Sequence, residues 1–280
     1  MNKRLRIVFP RSNDTLDKSI KYFKKEGFLI DQDHDILYIT SDNSKYEKYK
    51  RVLNKYHSSY TEDIIYSEEE LENASWLEIK PNNRTQFLQP EKQTMFEKDC
   101  FMHIGGCKNC HPKLKPLKPF RLKKSFRFVR RNSYGAHDSD SDFFISELFK
   151  SLLLKSELKG FDIWPVYNKS GEYELENTYQ IHIQEHLPFS MIDQDNIQKL
   201  KCPNCGNVFY KTPNWETAIE YHYEKENFKC LNNDIYYTKD YIGANDFLGS
   251  FSVMISHKFY KFLKQYGFDK DFKFDIPVLE

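Results

Sequence analysis

Residues 143–166 have the sequence FFISELFKSLLLKSELKGFDIWPV, and residues 253–278 have the related sequence VMISHKFYKFLKQYGFDKDFKFDIPV. In each stretch a short apolar run ends in Ile-Ser, an amphipathic segment and a glycine follow, and a second apolar run ends in Pro-Val. Ser146 and Ser256 are suited to helix N-caps, because a serine hydroxyl accepts a hydrogen bond from a free backbone N–H. The pattern therefore predicts the same strand–helix–strand unit twice.

Each of the two predicted helices carries apolar residues at helical spacing, which indicates one face turned to a core. The predicted faces are Leu148, Phe149, Leu152 and Leu153 in the first helix, and Phe259, Phe262, Leu263 and Tyr266 in the second. A C-x-x-C pair precedes each unit, so two independent features follow the same order. We expect a domain at residues 101–280 with an internal repeat, its copies at 101–190 and 200–280.

The two C-x-x-C pairs are Cys107 with Cys110, and Cys202 with Cys205. Zinc prefers four tetrahedral ligands, and two intervening residues allow both thiolates of a pair to face one ion. The second pair continues into Gly206 as C-P-N-C-G, in which proline and glycine favour a tight knuckle turn. The spacing predicts one structural zinc site formed by all four thiolates.

Two other arrangements of the cysteines remain open. Two separate metal sites are one of them, and in the other the thiols are free or redox-active and hold no metal. The two-site arrangement uses the sets Cys100, His103, Cys107, Cys110 and Cys202, Cys205, His222, Cys230. A closed shell of four thiolates leaves no position for a substrate, so the shared site predicts a structural role.

The first 80 residues alternate between strand-like and helix-like patterns. Strands are predicted at residues 5–9, 36–40 and 76–79, from their apolar and β-branched composition. Ser67 and Glu70 have the spacing of a capping box before a short helix. We expect an N-terminal α+β domain at residues 1–80, of ferredoxin-like type, followed by a polar linker at 81–100. The fold class of the whole chain is α+β.

Residues 108–131 contain ten basic residues and no acidic residue. Three phenylalanines, Phe120, Phe126 and Phe128, are interleaved with these cations. One interpretation is a nucleic-acid surface, with phosphates on the cations and bases on the rings. A second is a solvated segment whose phenylalanines face the core, and a third is a surface for an acidic protein partner. The candidate partner-binding residues are Lys113, Lys115, Arg121, Arg127 and Arg130.

Overall charge and hydropathy exclude several classes of protein. The 42 basic residues nearly balance the 41 acidic ones, which argues against a general polyanion binder. Aromatic residues make up 16% of the chain, enough to build a core, so disorder is excluded. No run of about 18 apolar residues predicts a membrane span, and the N-terminus lacks the apolar stretch of a signal peptide. We expect a cytoplasmic protein.

A search for catalytic patterns finds no nucleophile elbow, no H-E-x-x-H and no phosphate-binding glycine loop. His182 and His186 lie in or near an alternating strand-like segment. Without an accompanying nucleophile, they are predicted to be packing or surface residues. We expect a protein that is not an enzyme.

The paired knuckles, the second as C-P-N-C-G, resemble the double-CxxCG immunity proteins of bacterial polymorphic and contact-dependent toxin systems. The resemblance carries over to Cys107, Cys110, Cys202, Cys205 and Gly206, and it departs at His111, where the family pattern has glycine. It implies a protein that binds and neutralises a cognate toxin domain. The alternative is a zinc-ribbon protein that binds nucleic acid through residues 108–131.

Overall fold

The computed structural model describes thirteen segments of the chain. They are residues 2–8, 21–26, 36–40, 43–55, 60–91, 101–103, 114–136, 141–188, 190–192, 197–204, 208–212, 219–245 and 248–280. Within them the protein is a mixed α+β fold with several sheets and few helices, which confirms the predicted fold class. No helix in these segments is long and apolar enough to cross a membrane.

The strands are β1 (Asn2–Val8), β2 (Ile36–Thr40), β3 (Tyr60–Ile65), β4 (Trp76–Pro81), β5 (Arg84–Gln86), β6 (Phe101–His103), β7 (Leu114–Pro116), β8 (Ser133–Ala136), β9 (Phe143–Ile145), β10 (Phe161–Tyr167), β11 (Glu174–Ile183), β12 (Gln198–Lys201), β13 (Val208–Lys211), β14 (His222–Tyr223), β15 (Ile235–Tyr237), β16 (Tyr241–Asn245), β17 (Leu248–Ser250), β18 (Val253–Ser256), β19 (Phe272–Asp275) and β20 (Val278–Leu279). The helices are α1 (Tyr46–Lys55), α2 (Glu68–Asn73), α3 (Glu147–Lys155), α4 (Glu226–Lys229) and α5 (His257–Gln265); residues 21–25 are also helical.

The chain forms two compact units, residues 1–70 with 216–219, and residues 71–215 with 220–280. In the first unit, β1 lies between β2 and β3 in an antiparallel sheet. Tyr49 and Leu53 of α1 are buried, as their helical spacing predicts. The Tyr49 ring lies 5.5 Å from the ring of Phe23, between centroids, in the core of this unit.

The boundary between the units follows residue 70 rather than residue 80. Strand β4 was expected to complete the N-terminal sheet, but it pairs with β18 and β19 of the second unit. The described strands of the first unit therefore form a three-stranded sheet and not a ferredoxin-like one. Local sequence predicts that residues 76–79 are extended, but it does not say which strands they join.

The described part of the expected linker is not a linker. Within residues 81–91, β5 runs parallel to β8 at the edge of a sheet, and Leu88 is fully buried in an apolar cluster. Residues 92–100 lie outside the described segments. The polar composition predicted a linker because the few apolar residues here are widely spaced. Their burial depends on distant strands, which local composition does not reveal.

Both predicted strand–helix–strand stretches occur in the second unit, as β9–α3–β10 and β18–α5–β19. Ser146 accepts a hydrogen bond from the Phe149 N–H at 3.2 Å, and Ser256 accepts one from the Phe259 N–H at 3.2 Å. Both N-cap predictions are thus confirmed. A serine N-cap of this kind contributes about 1 kcal/mol to stability.

The hydrogen bonds around the capping serines Ser146 and Ser256 also match each other. The Ser146 hydroxyl donates to Asn132 Oδ1 at 2.8 Å, and its N–H donates to the Asn132 carbonyl. The Ser256 hydroxyl donates to Asp234 Oδ1 at 2.7 Å, and its N–H donates to the Asp234 carbonyl. Asn132 and Asp234 each directly precede the strand that pairs beside the capped segment, so the two arrangements match in position as well as in bonding.

The two sheets have matching strand orders, β8-β9-β11-β10 in one and β15-β18-β4-β19 in the other. In both, the third strand is antiparallel to its two neighbours. In the first sheet this strand follows β10 along the chain, whereas in the second it is β4, which precedes the whole repeat. The second sheet is therefore completed by a strand from more than 150 residues upstream.

One apolar core is shared by the two stretches. Phe149 of α3 stacks on Phe268, which follows α5, with ring centroids 4.2 Å apart, and Phe259 and Leu263 of α5 join the same cluster. Not every predicted face residue is buried, since Leu148 is 57% exposed and Tyr266 is 40% exposed.

Candidate metal centre and basic surface

Along the chain, the second C-x-x-C pair falls between two strands that pair with each other. Strands β12 and β13 are antiparallel, with Lys201 opposite Val208 as the last pair, so residues 202–207 form the connection. Cys202 directly follows β12 and is 2% exposed. Pro203 and Asn204 form a turn and are exposed. The Cys202 side chain is therefore buried while the turn itself faces solvent, and Cys205 lies outside the described segments.

Along the chain, the first pair also falls between two paired strands. Strands β6 and β7 are antiparallel, with His103 opposite Leu114, so residues 104–113 form their connection. Cys107 and Cys110 lie within this connection along the chain, but they are outside the described segments. A hairpin connection suits a zinc knuckle, because the paired strands hold both ends of the thiolate turn in place.

The described segments do not bring a complete ligand set together. Among their residues there is no group of three or more His, Cys, Asp or Glu side chains arranged to hold a metal. Of the four predicted ligands, only Cys202 is described. In the two-site arrangement, His222 and Cys230 would complete the second site. The His222 ring has its Nδ1 3.0 Å from Glu280 and its Nε2 3.4 Å from Glu220, and Cys230 is exposed.

The described part of the basic stretch covers one face of the sheet that contains β9, β10 and β11. Phe120 and Phe126 are buried in a cluster with Phe144 and Val166 of that sheet, and Phe128 packs against the same cluster. These rings face the core, as the second interpretation of the basic stretch predicted. Residues 125–128 form no regular strand, but their alternation of buried and exposed side chains is the predicted one.

The five predicted partner-binding residues differ in how much the structure shows of them. Arg127 and Arg130 are exposed, and Arg121 is half-buried, with its backbone bridged to Tyr167. Lys115 lies in β7, and its side chain is not described. Lys113 is outside the described segments. The two exposed arginines are close along the chain to Val129, which is 82% exposed.

The path of this basic segment is determined by buried polar side chains. Gln180 accepts a hydrogen bond from the Phe120 N–H at 3.0 Å, and Thr178 accepts one from the Phe126 N–H at 3.2 Å. Asp271 accepts from the backbone N–H groups of Asn132 and Ser133 at 2.7 and 2.9 Å. An irregular segment that is anchored at both ends by buried acceptors is already ordered. It therefore loses little conformational entropy when its exposed side chains bind a partner.

The two histidines that a catalytic search would notice are packed into the fold. The His182 ring is 92% buried and stacks on Trp164, with centroids 3.8 Å apart. Asp162 Oδ2 is 3.6 Å from its Nδ1. His186 Nδ1 lies 3.0 Å from the Thr238 carbonyl. Both placements agree with the expected packing role.

No known protein-family model matches this chain, and no curated protein is significantly similar to it in sequence. Function is therefore inferred from the chain's own residues.

Sequence reasoning missed a charged cluster on β4 and β19 whose central carboxylate, that of Glu78, is buried. Glu78 is 2% exposed, Lys80 Nζ lies 3.0 Å from Glu78 Oε1, and the same ammonium lies 3.5 Å from Asp275 Oδ2. Burial raises the pKa of Glu78, and Lys80 only partly offsets this effect. Burial alone would lower the pKa of Lys80, but the two carboxylates outweigh it and raise that pKa. Glu78 and Lys80 are two residues apart, so both lie on one face of a strand. This spacing is the feature of the sequence from which the pair could have been predicted.

The matched position in the other sheet is occupied by an amide. Glu78 is opposite Met254 and Gln180 is opposite Phe144, and each of these partners lies two residues before the capping serine of its stretch. Gln180 is fully buried. A glutamine is therefore compatible with this kind of position, which makes Glu78→Gln a suitable substitution for testing the carboxyl group.

We expect the wild type to gain stability relative to Glu78→Gln as the pH falls from neutral towards 4.5. A carboxyl whose folded-state pKa is raised above its ordinary value of 4.5 binds a proton more tightly in the folded state. Its stabilising contribution is therefore present below that value and is lost as the pH rises through the folded-state pKa. Urea unfolding of both proteins at several pH values measures the difference. A difference that does not vary with pH would contradict this prediction.

Proposed function

We propose that this chain is a non-enzymatic immunity protein of the cytoplasm, stabilised by zinc, which binds and neutralises a bacterial toxin domain. The observation that carries the proposal is the placement of the cysteines. Cys202 directly follows β12 of one antiparallel strand pair, and along the chain Cys107 and Cys110 fall between the two strands of another. A turn between paired strands suits a zinc knuckle, and the double-CxxCG resemblance rests on the same cysteines.

The zinc ligands in this proposal are Cys107, Cys110, Cys202 and Cys205. Their donor set fits zinc, because four thiolates form a closed tetrahedral shell. The burial of Cys202 within an otherwise exposed turn supports this assignment. Zinc would supply no reaction chemistry here. It would link segments about 90 residues apart and so add to the free energy of folding.

The proposal also includes an internal duplication. The supporting observations are the matched N-caps, their bonds to Asn132 and Asp234, and the equal strand orders of the two sheets. Each copy then consists of a cysteine hairpin followed by a strand–helix–strand stretch. Joining the hairpins through one zinc ion would tie the two copies together at a second place, besides their shared apolar core.

The test of neutralisation is co-expression. The protein encoded immediately upstream of this chain should arrest growth of a bacterial host when it is expressed alone. Growth should recover when this chain is expressed with it, and the two proteins should co-purify as a stable complex. Persistent growth arrest in cells that contain soluble, folded immunity protein would reject the proposal.

The nucleic-acid alternative has less support in the structure. It relied on phenylalanine rings that stack on bases, and Phe120 and Phe126 are buried in the core. The cations of the segment still offer a positive surface. That surface fits a partner recognised through carboxylates better than one recognised through stacked bases.

A further inference from the structure

We infer that residues 124–131, which we call the arginine loop, are the partner-binding surface, and that the partner presents an acidic protein surface with an apolar patch. This inference deepens the proposed function and rests on it for the existence of a partner. It concerns which surface of the chain makes the contact and what chemistry that surface recognises.

The arginine loop is irregular in backbone but held firmly in place. It contains no helix or strand, yet Phe126 is buried and its N–H donates to Thr178. Gln86 Nε2 donates to the Lys124 carbonyl at 3.0 Å, and the Tyr134 hydroxyl donates to the Arg127 carbonyl at 3.3 Å. The Phe126 ring stacks on Tyr134, with centroids 5.0 Å apart. A segment ordered in this way loses little conformational entropy when it binds.

The exposed side chains of the loop combine positive charge with an apolar tip. Lys124, Arg127, Arg130 and Arg131 are exposed. Val129, between the arginines, is 82% exposed. Arg127 and Arg130 form no ion pair with any other described residue. Exposed guanidinium groups of this kind can bind an incoming carboxylate through two parallel hydrogen bonds.

This combination favours an acidic protein over a nucleic acid. Arginine is enriched at the energetically important positions of protein interfaces. Sequence-tolerant nucleic-acid surfaces instead place exposed aromatic rings beside their cations. In the arginine loop Phe126 is buried and Phe128 packs against the core, so the exposed apolar contact is an aliphatic one.

The test compares two double substitutions that change the net charge equally. Arg127→Glu with Arg130→Glu reverses two charges of the arginine loop. Lys155→Glu with Lys261→Glu reverses two exposed lysines on α3 and α5, and it serves as the control. The probes are immobilised poly-L-glutamate and a 20-base-pair DNA duplex, at the same salt concentration. Circular dichroism and the urea midpoint verify that all variants are folded.

We expect poly-L-glutamate to bind about tenfold more weakly to the arginine-loop variant, as two lost charge contacts imply. The lysine control should change by less than about twofold, and the DNA duplex should bind the wild type more weakly than poly-L-glutamate does. Equal losses in both variants, or no loss in either, would overturn the inference. Tighter binding of DNA that is abolished in the arginine-loop variant would assign the loop to nucleic acid and overturn it as well.

These outcomes are independent of the toxin. Because the probes contain no toxin, a failure in this assay rejects the arginine loop as the acidic-partner surface and does not bear on neutralisation. Failure of growth rescue by the wild type rejects neutralisation and does not bear on the loop. If both the loop assignment and neutralisation hold, the arginine-loop variant should also lose rescue while the lysine control retains it.

Discussion

Replacing Cys202 with serine is expected to release zinc and to destabilise the second unit severely. A hydroxyl is a poor zinc ligand, and a structural zinc site in a small peptide contributes roughly 10–16 kcal/mol of apparent binding free energy at neutral pH. Cys202 is also 2% exposed, so the serine hydroxyl would be buried. Elemental analysis after dialysis should show one equivalent of zinc in the wild type and almost none in the variant. Urea unfolding should show a large loss of stability.

Cys230→Ser is the matched control, because Cys230 is exposed and lies outside the proposed four-thiolate site. It should keep its zinc and its stability. Two equivalents of zinc in the wild type, one of which is lost in Cys230→Ser, would instead support the two-site arrangement. A wild-type protein without zinc would reject both metal arrangements.

Phe149→Ala is expected to cost about 3–5 kcal/mol of unfolding free energy, as is usual for truncation of a buried phenylalanine. Phe149 is fully buried, and its ring stacks on Phe268 with centroids 4.2 Å apart. The substitution therefore leaves a cavity in the core that both strand–helix–strand stretches share. The change in urea midpoint at constant slope measures the cost.

The neighbouring residue supplies the control for this prediction. Leu148 is on the same helix but is 57% exposed, so Leu148→Ala should change stability by less than about 0.5 kcal/mol. Equal costs for Phe149→Ala and Leu148→Ala would contradict the shared core. From sequence alone both residues were assigned to one apolar face, so the pair also tests where that face ends.

Local features of the chain were predictable because they depend on residues close in sequence. The N-caps at Ser146 and Ser256 form with the residue three positions ahead. The capping box of Ser67 and Glu70 likewise forms within one turn, with hydrogen bonds of 2.7 and 3.1 Å. The inward-facing phenylalanines of the basic segment follow from their alternation with charged residues. In each case a short-range rule is sufficient.

Long-range pairing was not predictable in this way. Strand β4 and the buried Leu88 were assigned to a separate N-terminal domain and to a linker, but both belong to the second unit. The Glu78 and Lys80 pair appears polar and solvent-exposed in the sequence, yet Glu78 is buried. The partners of these residues lie on strands far along the chain, so no local pattern contains them.

The sequence by itself determined the α+β class, the repeated strand–helix–strand stretches, their caps and the spacing of the cysteines, because all of these depend on side-chain periodicity and short turns. Only the tertiary structure decided which strand completes the second sheet, where the units divide, and which cations of the basic stretch are exposed. Those features arise from the burial of apolar faces contributed by distant segments. The free energy of that burial depends on the whole arrangement and not on any one stretch of the chain.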